Sequence, residues 1–304
     1  MTMSTRNLDF GQMAEEITDR IRRFLPSTEG YQRHLGEAMT YSVVNGGKRV
    51  RPLLLLLTYR ALGGSPEEET RLVDPFLAAI EMIHSYSLVH DDLPAMDNDR
   101  FRRGKLTTHA KYGHAMGILA GDGLLNAAFE TALSAEETEA TKGRVIPALR
   151  VIAEKSGLLG MVGGQSVDVE KTGEAMTAEE LDFVYRLKTG ALLQAAMQAG
   201  AILAGASRET VDVMGEIALK VGLAFQIQDD ILDIASTTET LGKPVGSDEK
   251  NHKTTYVTLY GMRASKEAVE NLSDEALALL ANYPGGQRGE PLAEMIASLV
   301  GRIR

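Results

Sequence analysis

Apolar positions along the chain fall at helical spacing. Phe10, Met13, Ile17, Ile21 and Phe24 recur three or four residues apart, and Tyr31, Leu35, Met39 and Val43 repeat the pattern. That spacing lines one face of an α-helix, and no stretch alternates as a strand does. Ser65-Pro66-Glu67-Glu68 offers an N-cap, a first-turn proline and a capping-box glutamate, and Thr177-Ala178-Glu179-Glu180 repeats the capping logic. A long helix is predicted after each. Breaks are predicted at Asn45-Gly46-Gly47, Gly63-Gly64, Gly242 to Gly246 and Pro284-Gly285-Gly286. The pattern predicts one all-α domain over residues 1–304, with no low-complexity linker and no repeat of fixed period.

Composition narrows the possibilities. Of 304 residues, 44% are hydrophobic and 24% charged, enough apolar material for a large core. The longest evident apolar run, Leu53 to Leu57, is far short of the roughly 20 residues that span a bilayer, so no transmembrane segment is expected. Asp9, Glu15, Glu16 and Asp19 give the N-terminus no basic-then-apolar order, and a cytoplasmic protein is expected. Without cysteine there is no disulfide, thiolate zinc site or cysteine nucleophile. A net charge of -10 argues against nucleic acid as a partner, so any anionic ligand must meet a local basic site.

Two acidic clusters carry the chemistry. The first, Asp91-Asp92-Leu93-Pro94-Ala95-Met96-Asp97-Asn98-Asp99, follows the apolar stretch from Phe76 to Val89. Six residues at about 100° each leave Asp97 roughly 120° from Asp91 on a straight helix. A kink or bulge at Pro94 can bring Asp97 back beside it. In the second cluster, Asp229-Asp230-Ile231-Leu232-Asp233, Asp229 and Asp233 share a helix face. Either cluster alone reads as solvated or ion-paired acids. Together on apolar helices they call for a compensating cation, and magnesium suits carboxylates that share an ion with phosphate oxygens.

Basic residues stand nearby in sequence. Gly46-Gly47-Lys48-Arg49-Val50-Arg51-Pro52 places three cations in a glycine-led turn before a leucine-rich helix, an arrangement that holds an anion or simply faces solvent. Arg102 and Arg103 follow the first acidic cluster. Either Arg103 pairs with Asp99, or the arginines face a phosphate. Lys188, Thr189 and Gln226 add donors on apolar helical stretches. His84, seven residues before Asp91, lies on nearly the same helix face and can bond a second anion, whereas His90 points elsewhere. Histidine-zinc spacing, a nucleophile elbow and a phosphate P-loop are all absent.

In this order the motifs resemble the trans-isoprenyl diphosphate synthase family, and within it the bacterial-type farnesyl diphosphate synthases. Gly46 to Pro52 is similar to GGKRxRP, Asp91 to Asp97 to the first aspartate-rich motif, and Asp229 to Asp233 to the second. Gly163 to Asp168 is similar to GGQxxD, Lys188-Thr189-Gly190 to KTG, and Phe225 to Asp230 to FQxxDD. Leu241-Gly242-Lys243 and Lys253 to Tyr256 are similar to the basic region beyond. Arg100 stands where relatives often carry an acid, and Leu106 where they carry proline.

The resemblance implies an isoprenoid synthase helical bundle around a deep central cavity, usually a homodimer. It implies three magnesium ions on Asp91, Asp97 and Asp229, supported by Asp92 and Asp233. Lys48, Arg51, His84 and Arg103 are expected to hold isopentenyl diphosphate; Arg102, Lys188 and Lys243 are expected to hold the allylic diphosphate. Thr189 and Gln226 are expected to stabilise the carbocation with oxygen dipoles, and released diphosphate to take the proton. The expected reaction joins isopentenyl diphosphate head to tail with dimethylallyl and geranyl diphosphate to give farnesyl diphosphate. A geranylgeranyl diphosphate synthase is the near alternative; a terpene cyclase and a non-catalytic partner subunit are further ones. Tyr86, with Ser87 beside it, lies five residues before Asp91. Its ring packs in the core or, as the resemblance implies, floors the cavity and limits product length.

Overall fold

The computed structural model describes residues 9–235, 254–283 and 288–301. The glycines from Gly242 to Gly246, Lys243, Lys253 and the turn at Pro284 lie outside them. Helices make up nearly all of the regular structure: α1 (Phe10–Arg22), α2 (Arg33–Val44), α3 (Val50–Ala61), α4 (Asp74–Asp91), α5 (Thr108–Tyr112), α6 (His114–Leu133) and α7 (Val145–Ser156) come first. They are followed by α8 (Met161–Glu170), α9 (Ala178–Val184), α10 (Ala191–Ala204), α11 (Arg208–Ala235), α12 (Tyr256–Ala281) and α13 (Glu290–Val300). One two-residue hairpin, β1 (Phe101–Arg102) and β2 (Lys105–Leu106), interrupts the all-α architecture beside the first acidic cluster.

The leucine run explains the centre of the bundle. Leu53 to Leu57 are all buried, so α3 is surrounded on every side, as a helix apolar all round must be. It packs on α10 and α4; α4 packs on α6, α10 on α7 and α11, and α11 on α12. A second, smaller core of Leu181, Val184, Ile227, Ile231, Val257 and Val269 joins α9, α11 and α12.

Thr177 forms the full capping box with Glu180. The helical run it starts continues from α9 through a π-helical turn (Tyr185–Gly190) into α10. Ser65 does not cap. Its hydroxyl donates to Glu67 and Glu68 pairs with Arg71, so the segment forms a 3-10 turn (Pro66–Glu68) and a π-helical turn (Glu69–Val73) before α4 begins. Tyr31 departs from its helical pattern: it precedes α2 and is fully exposed. The continuous run Pro66–Asp91 is, contrary to the expectation drawn from Leu53 to Leu57, long and apolar enough to cross a membrane. However, 83% of its most apolar window is buried inside the fold, as in a core helix.

Candidate active site

The C-terminal end of α4 delivers the first acidic cluster. The helix stops at Asp91 instead of kinking, and the chain turns back through Pro94. The Asn98 N–H donates to Leu93 O at 3.1 Å and the Asp97 N–H to Asp91 O at 2.9 Å. Asp97 thus returns to Asp91 as the proline suggested, and its charge is felt there. The Asp91 carboxyl is pushed from 3.8 to about 6 by burial, with Asp97 and Asp92 adding to the rise and Lys188 and Arg102 opposing it. Asp92 is also raised, again chiefly by burial, and accepts from Arg102 Nε at 2.8 Å. Arg102, not Arg103, is the residue near Asp99, at 3.9 Å.

Across from α4, α8 and the π-helical turn build the opposing wall. Gln165 Nε2 donates to Asp91 Oδ1 at 2.8 Å, while the other amide atom, Oε1, is buried without a partner among the described residues. Lys188 Nζ binds Asp168 Oδ2 at 2.6 Å. Gly164 makes this approach possible: a Cβ there would lie 2.3 Å from the backbone nitrogen of Lys188. Thr189 Oγ1 donates to Gln226 Oε1 at 2.9 Å, linking the turn to α11 one helical turn before Asp229.

On α11 the adjacent aspartates divide their work. Asp230 is buried and accepts from Tyr185 Oη at 2.5 Å and the Tyr256 N–H at 2.8 Å, tying α11 to its neighbours. Asp229 and Asp233 are less buried. Among the described residues no three carboxylate or imidazole groups converge tightly enough to hold an ion unaided.

The second group of charges surrounds His84. Arg49, at φ 49°, ends the turn after α2, and Arg103, at φ 54°, folds its guanidinium over Gly47, where any Cβ would lie 2.4 Å from Nη1. That nitrogen donates to Gly46 O. Arg51 is lowered to about 10 by burial, with Glu81 opposing and Arg103 reinforcing the shift; its Nε has no partner among the described residues. Burial and the charges of Arg51, Arg103, Arg102 and Arg49 hold His84 well below the usual imidazole value, so it stays neutral. The structure therefore brings Arg51, His84 and Arg103 together. Lys48 is exposed and lines a cavity of about 720 Å³ between α1 and α13.

Tyr86 is buried, and its ring meets His90 edge-on at 5.9 Å. The Ser87 hydroxyl is spent on His84 O at 2.9 Å within α4, and His90 Nε2 lies 3.1 Å from Ile118 O. Sequence reasoning missed Glu81, a lone acid inside an apolar helix that pairs with Arg49 at 2.7 Å. It also missed Tyr185 as the partner of Asp230. It noted Gln165 and Asp168 as parts of a motif without assigning their bonds.

An all-helical bundle with two acidic helix ends and a separate arginine group defines a protein built for multiply charged anions. The polyprenyl synthetase family model matches residues 32–280, and the chain belongs to that family. It is 46% identical to the farnesyl diphosphate synthase of Geobacillus stearothermophilus, covering 84% of each chain. It is 41% identical to the geranylgeranyl diphosphate synthase of Cyanophora paradoxa over 86% of this chain and 85% of that one. Among solved structures it is similar to an apo FPP/GFPP synthase from Zymomonas mobilis, with a TM-score of 0.82 and 34% identity over 96% and 97% of the two chains.

Proposed function

We propose that the chain is a trans-prenyltransferase that condenses isopentenyl diphosphate with dimethylallyl and then geranyl diphosphate to give farnesyl diphosphate. The observation that carries this reading is the position of two charge groups on α4: Asp91 with Asp97 at its end, and His84 among Arg51 and Arg103 two turns earlier. Two diphosphates need two such places. The raised Asp91 carboxyl fits a site completed by a cation, because its ionised form is costly there alone. Asp91, Asp97 and Asp229, with Asp92 and Asp233, are the residues to hold magnesium, three ions by resemblance. When bound, magnesium would neutralise the allylic diphosphate and make it a better leaving group.

The chain's own groups supply the rest. Lys188 and Arg102, now held by Asp168 and Asp92, are placed to turn to the allylic diphosphate, with Lys243 assigned by resemblance alone. The oxygens of Thr189 and Gln226 present dipoles to the cation that develops as that diphosphate departs. Arg51, Arg103 and neutral His84 hold isopentenyl diphosphate while its double bond attacks, with Lys48, on the cavity between α1 and α13, assigned by resemblance alone. A neutral His84 donates a hydrogen bond and is not needed as a base, since the departed diphosphate can take the proton.

The test is diphosphate release. Release requiring both substrates and magnesium supports condensation; release from a single prenyl diphosphate indicates a cyclase, and no release a partner subunit. The similarity to the Cyanophora paradoxa geranylgeranyl diphosphate synthase keeps a C20 product as the second reading. A cytoplasmic homodimer completes the proposal. Leu158 and Leu159, 78% and 81% exposed, with Ile146 and Leu119 on neighbouring helices, offer apolar surface to a second copy.

A further inference from the structure

The arginine group rests on a buried ion pair that the proposed reaction does not use. Glu81, on α4, and Arg49, at the start of α3, are each 3% exposed, and Arg49 Nη1 donates to Glu81 Oε1 at 2.7 Å. Three further donors of the same guanidinium reach three other segments. Nε donates to Thr18 Oγ1 on α1 at 2.9 Å, Nη2 to Val43 O at the end of α2 at 2.9 Å, and Nη1 also to Gly46 O in the turn at 3.1 Å. A left-handed backbone is costly for a residue with a Cβ, and these bonds hold Arg49 there.

Gly46 O connects this pair to the binding groups. Arg103 Nη1 donates to the same carbonyl, so the seat of Arg103 moves if Arg49 lets the turn go. Arg51 follows Arg49 by two residues, and His84 follows Glu81 by three on α4. One carboxylate therefore fixes the turn that seats Arg103 and Arg51 to the helix that carries His84.

We propose that Glu81, acting through Arg49, is a positioning residue for the isopentenyl diphosphate site. The inference rests on the assignment of Arg51, His84 and Arg103 to that substrate. It has a competitor of opposite sign. Glu81 is an anion in the field of Arg51 and Arg103, and if its only effect were to offset their charge, neutralising it would tighten diphosphate binding. Positioning requires that binding weaken.

The experiment compares full-length Glu81→Gln, Glu81→Asp and Arg51→Ala in steady-state kinetics with isopentenyl and geranyl diphosphate, with thermal melts as the check on folding. Glu81→Gln should raise KM for isopentenyl diphosphate about tenfold, while KM for geranyl diphosphate and kcat stay within about twofold. Glu81→Asp keeps the charge and loses reach, so it should move the same KM in the same direction. An unchanged or lowered isopentenyl diphosphate KM in these variants overturns the inference, as does a parallel rise in both KM values with a fall in kcat. Arg51→Ala separates the two levels. If it raises only the isopentenyl diphosphate KM and Glu81→Gln does not, positioning alone is wrong; if Arg51→Ala shows no such selectivity, the substrate assignment is wrong and the positioning role falls with it.

Discussion

At Asp91, stability and function pull in opposite directions. Its carboxyl rises in the folded chain from 3.8 to about 6, mainly through burial. The folded state then holds the proton more tightly than the unfolded chain, so this residue favours folding below about pH 4. That contribution is lost as pH rises through about 6. The rise corresponds to roughly 3 kcal/mol at most. In metal-free protein at pH 7, Asp91→Asn should therefore raise the melting temperature by a few degrees, have little effect at pH 4, and abolish most turnover with magnesium present. Calorimetry at the two pH values and a turnover assay check it; a lower melting temperature at pH 7 would count against a buried, uncompensated charge. Five residues earlier, Tyr86 is buried against His90. Replacing it with alanine should lengthen the product toward C20 if its ring floors the cavity. An active Tyr86→Ala enzyme with an unchanged product would place the floor elsewhere.

Among the elements, those whose signal lies within one helix were legible before the structure. Phe10 to Ile21 mark α1, and Thr177 with Glu180 starts the run into α10. Ser65 carries the same kind of signal and the run Pro66–Asp91 does follow it, but without the side-chain cap, because its hydroxyl goes to Glu67 and Glu68 is taken by Arg71. Asp91, Asp229 and Asp233 could be found from sequence because identical charges crowd apolar helices, and Asp97 because it follows Asp91 closely across Pro94. The bonds from Gln165 to Asp91, Lys188 to Asp168, Tyr185 to Asp230 and Arg49 to Glu81 could not. Each joins two elements whose contact is set by tertiary packing.

The start of α4 offers a test of such a cross-element pair. Arg20 on α1 binds Asp74 at 2.6 Å and Glu69 at 3.2 Å, and Asp74 is buried. Arg20→Ala strands those acids, with Arg60 still on Glu69 and Arg23 at 3.8 Å from Asp74. Denaturant unfolding should show a loss of about 2–4 kcal/mol, partly restored by removing the Asp74 carboxylate as well. No loss would mean that the pair contributes nothing at the foot of the site helix.

On the scale of the whole molecule, α4 is the element that connects the two charge groups. It is buried along most of its length, is joined to α1 at its start and to the Gly46 turn through Glu81, and ends at Asp91 against α8. That single rigid element sets the separation of the two charge groups, which on the proposed function would hold one diphosphate each. On the proposed function, the two substrates are joined into a C15 chain. Purified protein is incubated with magnesium, dimethylallyl diphosphate and isopentenyl diphosphate, the products are dephosphorylated, and the alcohols are separated by chromatography. Farnesol is expected as the main product. Geranylgeraniol as the main product, or no condensed alcohol at all, would contradict it.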